Sequence, residues 1–148
     1  MAIDQHDRQA AYAVRYDVFV TEQQVPPELE LDELDDSADH FVAYDDDVAV
    51  GAGRLVVEPA GFEGEDPALG PVGHLGRLAV RPQTRGTALG AALVRAIEER
   101  ASARGLSVVV LAAQTHAMAF YERLGYSGYG AVFDDAGLPH RWMRRRLT

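Results

Sequence analysis

Val108-Val109-Val110 constrains this chain more than any other feature. A continuous apolar run, without the alternation of a half-exposed strand, marks a strand buried on both faces, as in parallel pairing. We read a strand over 107–111 on that basis. Ahead of it, residues 86–104 give the clearest helix in the chain. Leu89, Leu93 and Ile97 form one stripe, backed by Ala92 and Ala96, while Arg95, Glu98, Glu99 and Ser102 are expected to face outward. Arg100 and Arg104 suit the negative end of the helix dipole, and Gly105 suits the residue just past the helix. A strand over 73–80 precedes this helix.

Around that strand–helix–strand unit the remaining elements follow from local signals. Asp4 is a candidate cap for a helix reaching about Gln24, with Ala11, Val14 and Val18 at helical spacing. Pro26-Pro27 stops it or opens a short second helix. Residues 40–44 and 48–57 read as a hairpin turning at Asp45-Asp46-Asp47. Residues 58–71 are rich in Gly, Pro and acids and read as a surface loop. A short helix over 118–124 ends at Gly125. Strands near 128–133 and 140–147 close the chain, turning through residues 134–137. The expected product is one α/β domain over residues 1–148, a mixed sheet with helices on both faces.

Composition excludes several functions. The chain has 148 residues and no cysteine, which removes a disulfide scaffold, a thiolate zinc site and a cysteine nucleophile. Its five histidines show no metal-binding spacing, so no metal is expected. The net charge of -9 argues against nucleic acid as the main partner. No apolar run approaches the roughly 20 residues that cross a bilayer, and residues 1–4 lack the apolar core of a signal peptide. A cytoplasmic protein with no membrane partner is expected. All 14 basic residues are arginine. An acidic, lysine-free surface suits a protein kept soluble where salt screens charge, as in a halophilic or GC-rich source.

The most informative segment for chemistry runs Leu78-Ala79-Val80-Arg81-Pro82-Gln83-Thr84-Arg85-Gly86-Thr87-Ala88-Leu89-Gly90. A strand ends, a loop turns, and small residues open a long helix. Gly86, Ala88 and Gly90 remove bulk where a ligand could approach the backbone. Free N–H groups at the helix start favour an anion such as a pyrophosphate, with Arg81 and Arg85 available for charge-assisted contacts. A Walker A loop is excluded because it needs lysine, and the spacing differs from a dinucleotide fingerprint. The same small residues would equally serve helix packing.

This segment resembles the acetyl-CoA loop of the GNAT superfamily of N-acetyltransferases, Arg/Gln-x-x-Gly-x-Gly/Ala, here Arg85-x-x-Ala88-x-Gly90 with alanine at the middle glycine. Phe120-Tyr121-Glu122-Arg123-Leu124-Gly125-Tyr126 is similar to the family's Phe-Tyr-x-x-x-Gly-Phe/Tyr signature. Residues 18–26, Asp39-His40, residues 111–115 and residues 136–140 resemble the YjcF-like and ElaA-like subgroup. The resemblance implies a central mixed, mostly antiparallel sheet with a splayed parallel strand pair, and a first β-strand that is missing or vestigial here.

It further implies acetyl-CoA as co-substrate and an amine of a small molecule or peptide as acceptor, in a direct transfer without an acyl-enzyme. Carried over by motif position, the backbone of Leu78, Ala79 and Val80 pairs with the pantetheine arm. The N–H groups of Arg85, Gly86, Thr87, Ala88, Leu89 and Gly90 hold the pyrophosphate. Gln114 bonds pantetheine or orders water, unless it only packs. Tyr121 matches the family's general acid. The glutamate that many relatives carry as base is replaced by Gly76, leaving Glu22, His40, His74 and His116 as candidates. Gly76 also keeps open a non-catalytic acyl-CoA-binding or sensing domain. Arg77 suits an anionic part of the acceptor or a salt bridge within the sheet. The acidic stretch over 28–39 reads as solvated charge or as a lure for a cationic amine. Arg144-Arg145-Arg146 reads as a charged strand end or interface, and a homodimer is an expectation at family level.

Overall fold

The computed structural model describes residues 2–147. Its strands are β1 (Ala2–Asp4), β2 (Asp39–Asp45), β3 (Val48–Glu58), β4 (Val72–Val80), β5 (Val108–Gln114), β6 (Ser127–Asp135) and β7 (Leu138–Arg146). Its α-helices are α1 (Arg8–Arg15), α2 (Pro27–Glu30), α3 (Leu89–Ala103) and α4 (Met118–Arg123). The strands form one mixed sheet in the order β1-β2-β3-β4-β5-β7-β6. The parallel pair is present, with Gly73 opposite Val109 and His74 opposite Val110. The first strand is present but only three residues long, paired antiparallel with β2 from Ala2↔Tyr44 to Asp4↔Val42. Two compact units emerge: residues up to Val56 with Leu75–Glu99, and Val57–His74 with residues from Arg100 onward.

In the first unit α1 is capped by Asp7, whose side chain accepts from the Ala10 N–H at 3.0 Å. Asp4, expected to cap, instead lies in β1 and accepts from the N–H groups of His6 and Asp7. The helix expected to run on to about Gln24 changes character at Tyr16. Tyr16–Glu22 is a π-helix, closed by the Gln23 N–H donating to the Val18 carbonyl at 3.1 Å. Ala11, Val14 and Val18 pack with Val42, Ala52 and Ala79 in one apolar cluster.

Helix α3 uses its expected stripe. Leu89, Leu93 and Ile97 are buried, and a Cβ on Gly51 of β3 would lie 2.9 Å from Leu93 Cδ1. Glycine there lets helix and strand approach closely. Two expectations fail on this helix. Ala92 is exposed, and the buried Val94 fills the core instead. Glu98, expected outside, is buried and paired with Arg95 at 2.7 Å.

The acidic stretch over 28–39 is only partly solvated. Arg15, fully buried, donates from Nε to Glu30 at 2.7 Å and from Nη1 and Nη2 to Asp35 at 2.8 and 3.1 Å. Arg54 donates to Asp32 at 2.7 Å and to Asp35 at 2.9 Å. Arg77 bonds Asp32 at 3.1 Å and the Glu30 carbonyl at 3.0 Å, a salt bridge to the acidic segment rather than within the sheet. Three guanidinium groups thus meet three carboxylates. Although burial raises its pKa, the Arg15 and Arg54 hydrogen bonds and the Asp32 N–H hold the Asp35 carboxyl well below the usual range.

In the second unit Val108, Val109, Val110 and Leu111 are all buried, as the apolar run requires. β5 pairs antiparallel with β7 from Val108↔Arg146 to Gln114↔His140. Val72, Val108 and Val110 form the core cluster, with Phe62, Leu69 and Trp142 packed against it. Arg144 bonds Glu65 at 3.2 Å and lies over the Tyr129 ring at 4.1 Å, which fits a charged strand end.

Arg15→Met should cost about 3–5 kcal/mol, because it strands buried carboxylates without their cation; urea denaturation measures this. His40 provides a pH test. Burial lowers its pKa from 6.5, against the raising influence of the Asp35 carbonyl, which accepts from Nε2 at 2.8 Å. A depressed histidine contributes stability above its unfolded pKa and loses it as pH falls toward the folded value. The melting temperature should therefore decline below about pH 6.5, and His40→Gln should flatten that decline.

Candidate active site

The first unit carries the turn between β4 and α3. Arg81 leaves the strand end, and its N–H donates to the Val50 carbonyl at 2.8 Å. Residues Pro82–Thr84 make one 3-10 turn, in which the Thr84 N–H donates to the Arg81 carbonyl at 3.0 Å. Gly86 and Ala88 then adopt positive φ, +82° and +64°, with Thr87 between them. Alternation of this kind turns successive N–H groups to one side and makes an anion-binding concavity. The first backbone bond of α3 runs from the Ala92 N–H to the Ala88 carbonyl at 3.1 Å. The N–H groups of the opening helical turn lie ahead of that bond and are free of the ladder.

Residues Arg85, Gly86, Thr87 and Ala88 are exposed, and a Cβ on Gly86 would meet nothing within 4 Å. The turn is therefore open to a ligand rather than plugged by the chain. Leu89 is buried and Gly90 half-buried. Arg85 differs from the sequence reading, because its N–H donates to the Pro82 carbonyl at 3.3 Å. Of the strand residues, Ala79 is buried in the core cluster while Leu78 and Val80 are half-buried. Arg77 breaks the regularity of β4 with φ +52°, a left-handed value that costs an L-residue roughly 1–2 kcal/mol.

The side chains of Arg81 and Arg85 are engaged within the first unit. Arg85 bonds both oxygens of Glu22 at 2.6 Å and the Val80 carbonyl from Nε at 2.9 Å. Arg81 meets Asp17 at 2.9 Å and the Ala49 carbonyl at 2.7 Å. The paired acids lie in the π-helix, and nothing in the sequence reading had joined them to these arginines. Their only signal was spacing, Asp17 and Glu22 five apart, Arg81 and Arg85 four apart.

The second unit carries the other two site residues. Gln114 ends β5, half-buried, opposite His140. Tyr121 lies on α4 and is buried, with ring contacts to Phe120 at 4.9 Å and Tyr126 at 6.0 Å. Burial pushes its phenol pKa well above the ordinary value. Of the base candidates, Glu22 has its pKa lowered by the Arg85 hydrogen bond, and His40 is buried. His74 packs against Phe62 and Trp142. His116 is exposed on the turn before α4.

The turn's geometry predicts unequal responses at its two left-handed positions. Gly86→Ala should cost about 1 kcal/mol, since it places a Cβ in the left-handed region with no contact to offset the strain. Ala88→Gly relieves that strain but loosens the unfolded chain, so stability should change by less than about 1 kcal/mol. Chemical denaturation of the two variants checks both.

Residues 6–126 match the model of the Acetyltransferase (GNAT) family. The Bacillus subtilis protein YjcF, described as an uncharacterized N-acetyltransferase, is 38% identical over 91% of this chain and 89% of its own. Escherichia coli ElaA is 29% identical over 93% of this chain and 86% of its own. Among solved structures, an acyl-CoA N-acyltransferase from Pseudomonas aeruginosa is 30% identical, covers 97% of each chain and superposes with a TM-score of 0.79. An aminoglycoside 6'-N-acetyltransferase complexed with coenzyme A shares the fold at 18% identity and a TM-score of 0.73. No helix among the described residues is long and apolar enough to cross a membrane. By the family match and the identity of these relatives, the chain belongs to the GNAT family of N-acetyltransferases.

Proposed function

We propose that this enzyme moves an acetyl group from acetyl-CoA directly to a primary amine of a small molecule or a peptide. The carrying observation is the open turn of alternating left-handed residues, Gly86 and Ala88, at the head of α3. Bound acetyl-CoA supplies an activated thioester and a diphosphate. The N–H groups from Gly86 to Gly90 hold the diphosphate against the helix dipole. The backbone of Leu78, Ala79 and Val80 aligns the pantetheine arm, and a strand N–H polarises the thioester carbonyl as charge develops on its oxygen. Gln114 offers its amide to the same arm.

Tyr121 donates the proton that the departing thiolate takes up. Burial raises the phenol's pKa and keeps it protonated near neutral pH. The attacking amine enters as its free base; as the C–N bond forms and the C–S bond breaks, the nitrogen gives up one proton to solvent and Tyr121 regains its own from solvent, with His116 the exposed imidazole nearest in sequence to Tyr121 among the base candidates. The net charge of -9 draws a cationic acceptor toward the surface. We place the enzyme in the cytoplasm, as one domain over residues 1–148 that assembles as a homodimer.

One feature favours a second reading, an acyl-CoA-binding sensor: Gly76 stands where the family resemblance implies a basic carboxylate. Measuring CoA release against a panel of amines separates the two. Turnover on any amine supports the transferase, whereas CoA binding without release on every acceptor supports the sensor. Tyr121→Phe should lower kcat by about 10²-fold or more while the Kd for acetyl-CoA stays within about twofold; unchanged turnover removes Tyr121 from the chemistry.

A further inference from the structure

The π-helix Tyr16–Glu22 is rare architecture, and such turns are frequent at functional sites. On an α-helix, residues five apart point roughly 140° from one another. Closing the turn by i→i+5 bonds brings them round toward the same side. Asp17 and Glu22 are five apart, and both reach the turn that follows β4: Asp17 meets Arg81, and Glu22 meets Arg85. Those two arginines bracket the single 3-10 turn Pro82–Thr84.

Each guanidinium ties two structures together. Arg85 joins the Val80 carbonyl at the end of β4 to Glu22 through a two-pronged ion pair. Arg81 joins the Ala49 carbonyl of β3 to Asp17. The Arg85 N–H is also spent inside the turn, on Pro82, and the Thr87 hydroxyl donates to the Thr84 carbonyl. With its fork filled by Glu22, Arg85 has no second fork to offer a diphosphate.

We propose that Asp17 and Glu22 are positioning residues for the coenzyme turn, holding Arg81 and Arg85 as struts so that the N–H groups beyond them are preset before the anion arrives. This rests on the reading that the turn binds the CoA diphosphate. It also runs against simple charge arithmetic. Neutralising a carboxylate beside an anion site should strengthen anion binding if the arginine were merely released to the ligand. The strut role requires the reverse, because an unpinned turn must be ordered at the cost of binding free energy.

Calorimetry with CoA and steady-state kinetics distinguish these directions in the full-length protein. Glu22→Gln should weaken CoA binding roughly twofold to fivefold and raise the KM for acetyl-CoA by the same factor. Its kcat should stay within about twofold, with an unmoved pH profile, which a general-base role would not allow. Asp17→Asn should act in the same direction, and exchanging the partners (Glu22→Arg with Arg85→Glu) should recover part of the loss. Glu99→Gln, exposed on α3, controls for the change in net charge. Unchanged or tighter CoA binding in Glu22→Gln overturns the inference, as does a fall in kcat with a shifted pH profile. Wild-type protein that binds no CoA overturns the functional reading itself, and this inference with it.

Discussion

The buried guanidinium of Arg15 governs the first unit. Removing a charge from water costs several kcal/mol unless partners of opposite sign replace the lost hydration. Arg15 finds them in Glu30 and Asp35, fifteen and twenty residues away. Satisfying those carboxylates recruits Arg54 from β3 and, through Asp32 and the Glu30 carbonyl, Arg77 from β4. One residue on α1 thereby fixes where the acidic segment lies and ties it to two strands. Arg77 carries a left-handed backbone in the strand that leads to the turn before α3. Its side-chain bonds offset that strain, so the shape of β4 depends on charges set by Arg15.

A second constraint acts at the other end of β4. The glycines of β3 let α3 lie close, with Leu89 and Leu93 against Gly51 and Ile97 against Gly53. An alanine at Gly51 would press its Cβ to within 3.2 Å of Leu89 Cδ2 as well as meeting Leu93. Because Leu89 is both the first residue of α3 and part of this contact, core packing sets where the helix begins. The N–H groups ahead of Leu89 are left facing the turn by that placement, and an anion there is stabilised by a helix that cannot slide.

How much of this the sequence disclosed depended on the range of the interaction. Val108-Val109-Val110 predicted a doubly covered strand because its cause is local composition, and all three residues are buried. The small residues between Val80 and Gly90 marked the turn for the same reason. The π-helix was not legible, since apolar spacing at Ala11, Val14 and Val18 is compatible with i→i+4 and i→i+5 closure alike. Asp7 displaced Asp4 as cap because pairing with β2 drew Asp4 into a strand. The acids over 28–39 looked solvated because their cations come from α1, β3 and β4. Glu98 looked outward-facing on helical periodicity and is buried nonetheless.

The same reasoning explains an oddity of composition. Arginine and lysine are not interchangeable where one cation must serve several acceptors. Arg15 spans two carboxylates and the Glu30 carbonyl, Arg77 spans Asp32 and the carbonyls of Leu29 and Glu30, and Arg85 spans a carboxylate and a strand carbonyl. An ammonium is a compact point charge with strong hydration, and it cannot extend a planar fork to Glu22 while reaching Val80. Lysine at any of these positions would keep the charge and lose the geometry. Whatever drove lysine out of this chain, these arginines are used as multi-pronged ties, and two of the chain's arginines tie the turn after β4 to the π-helix.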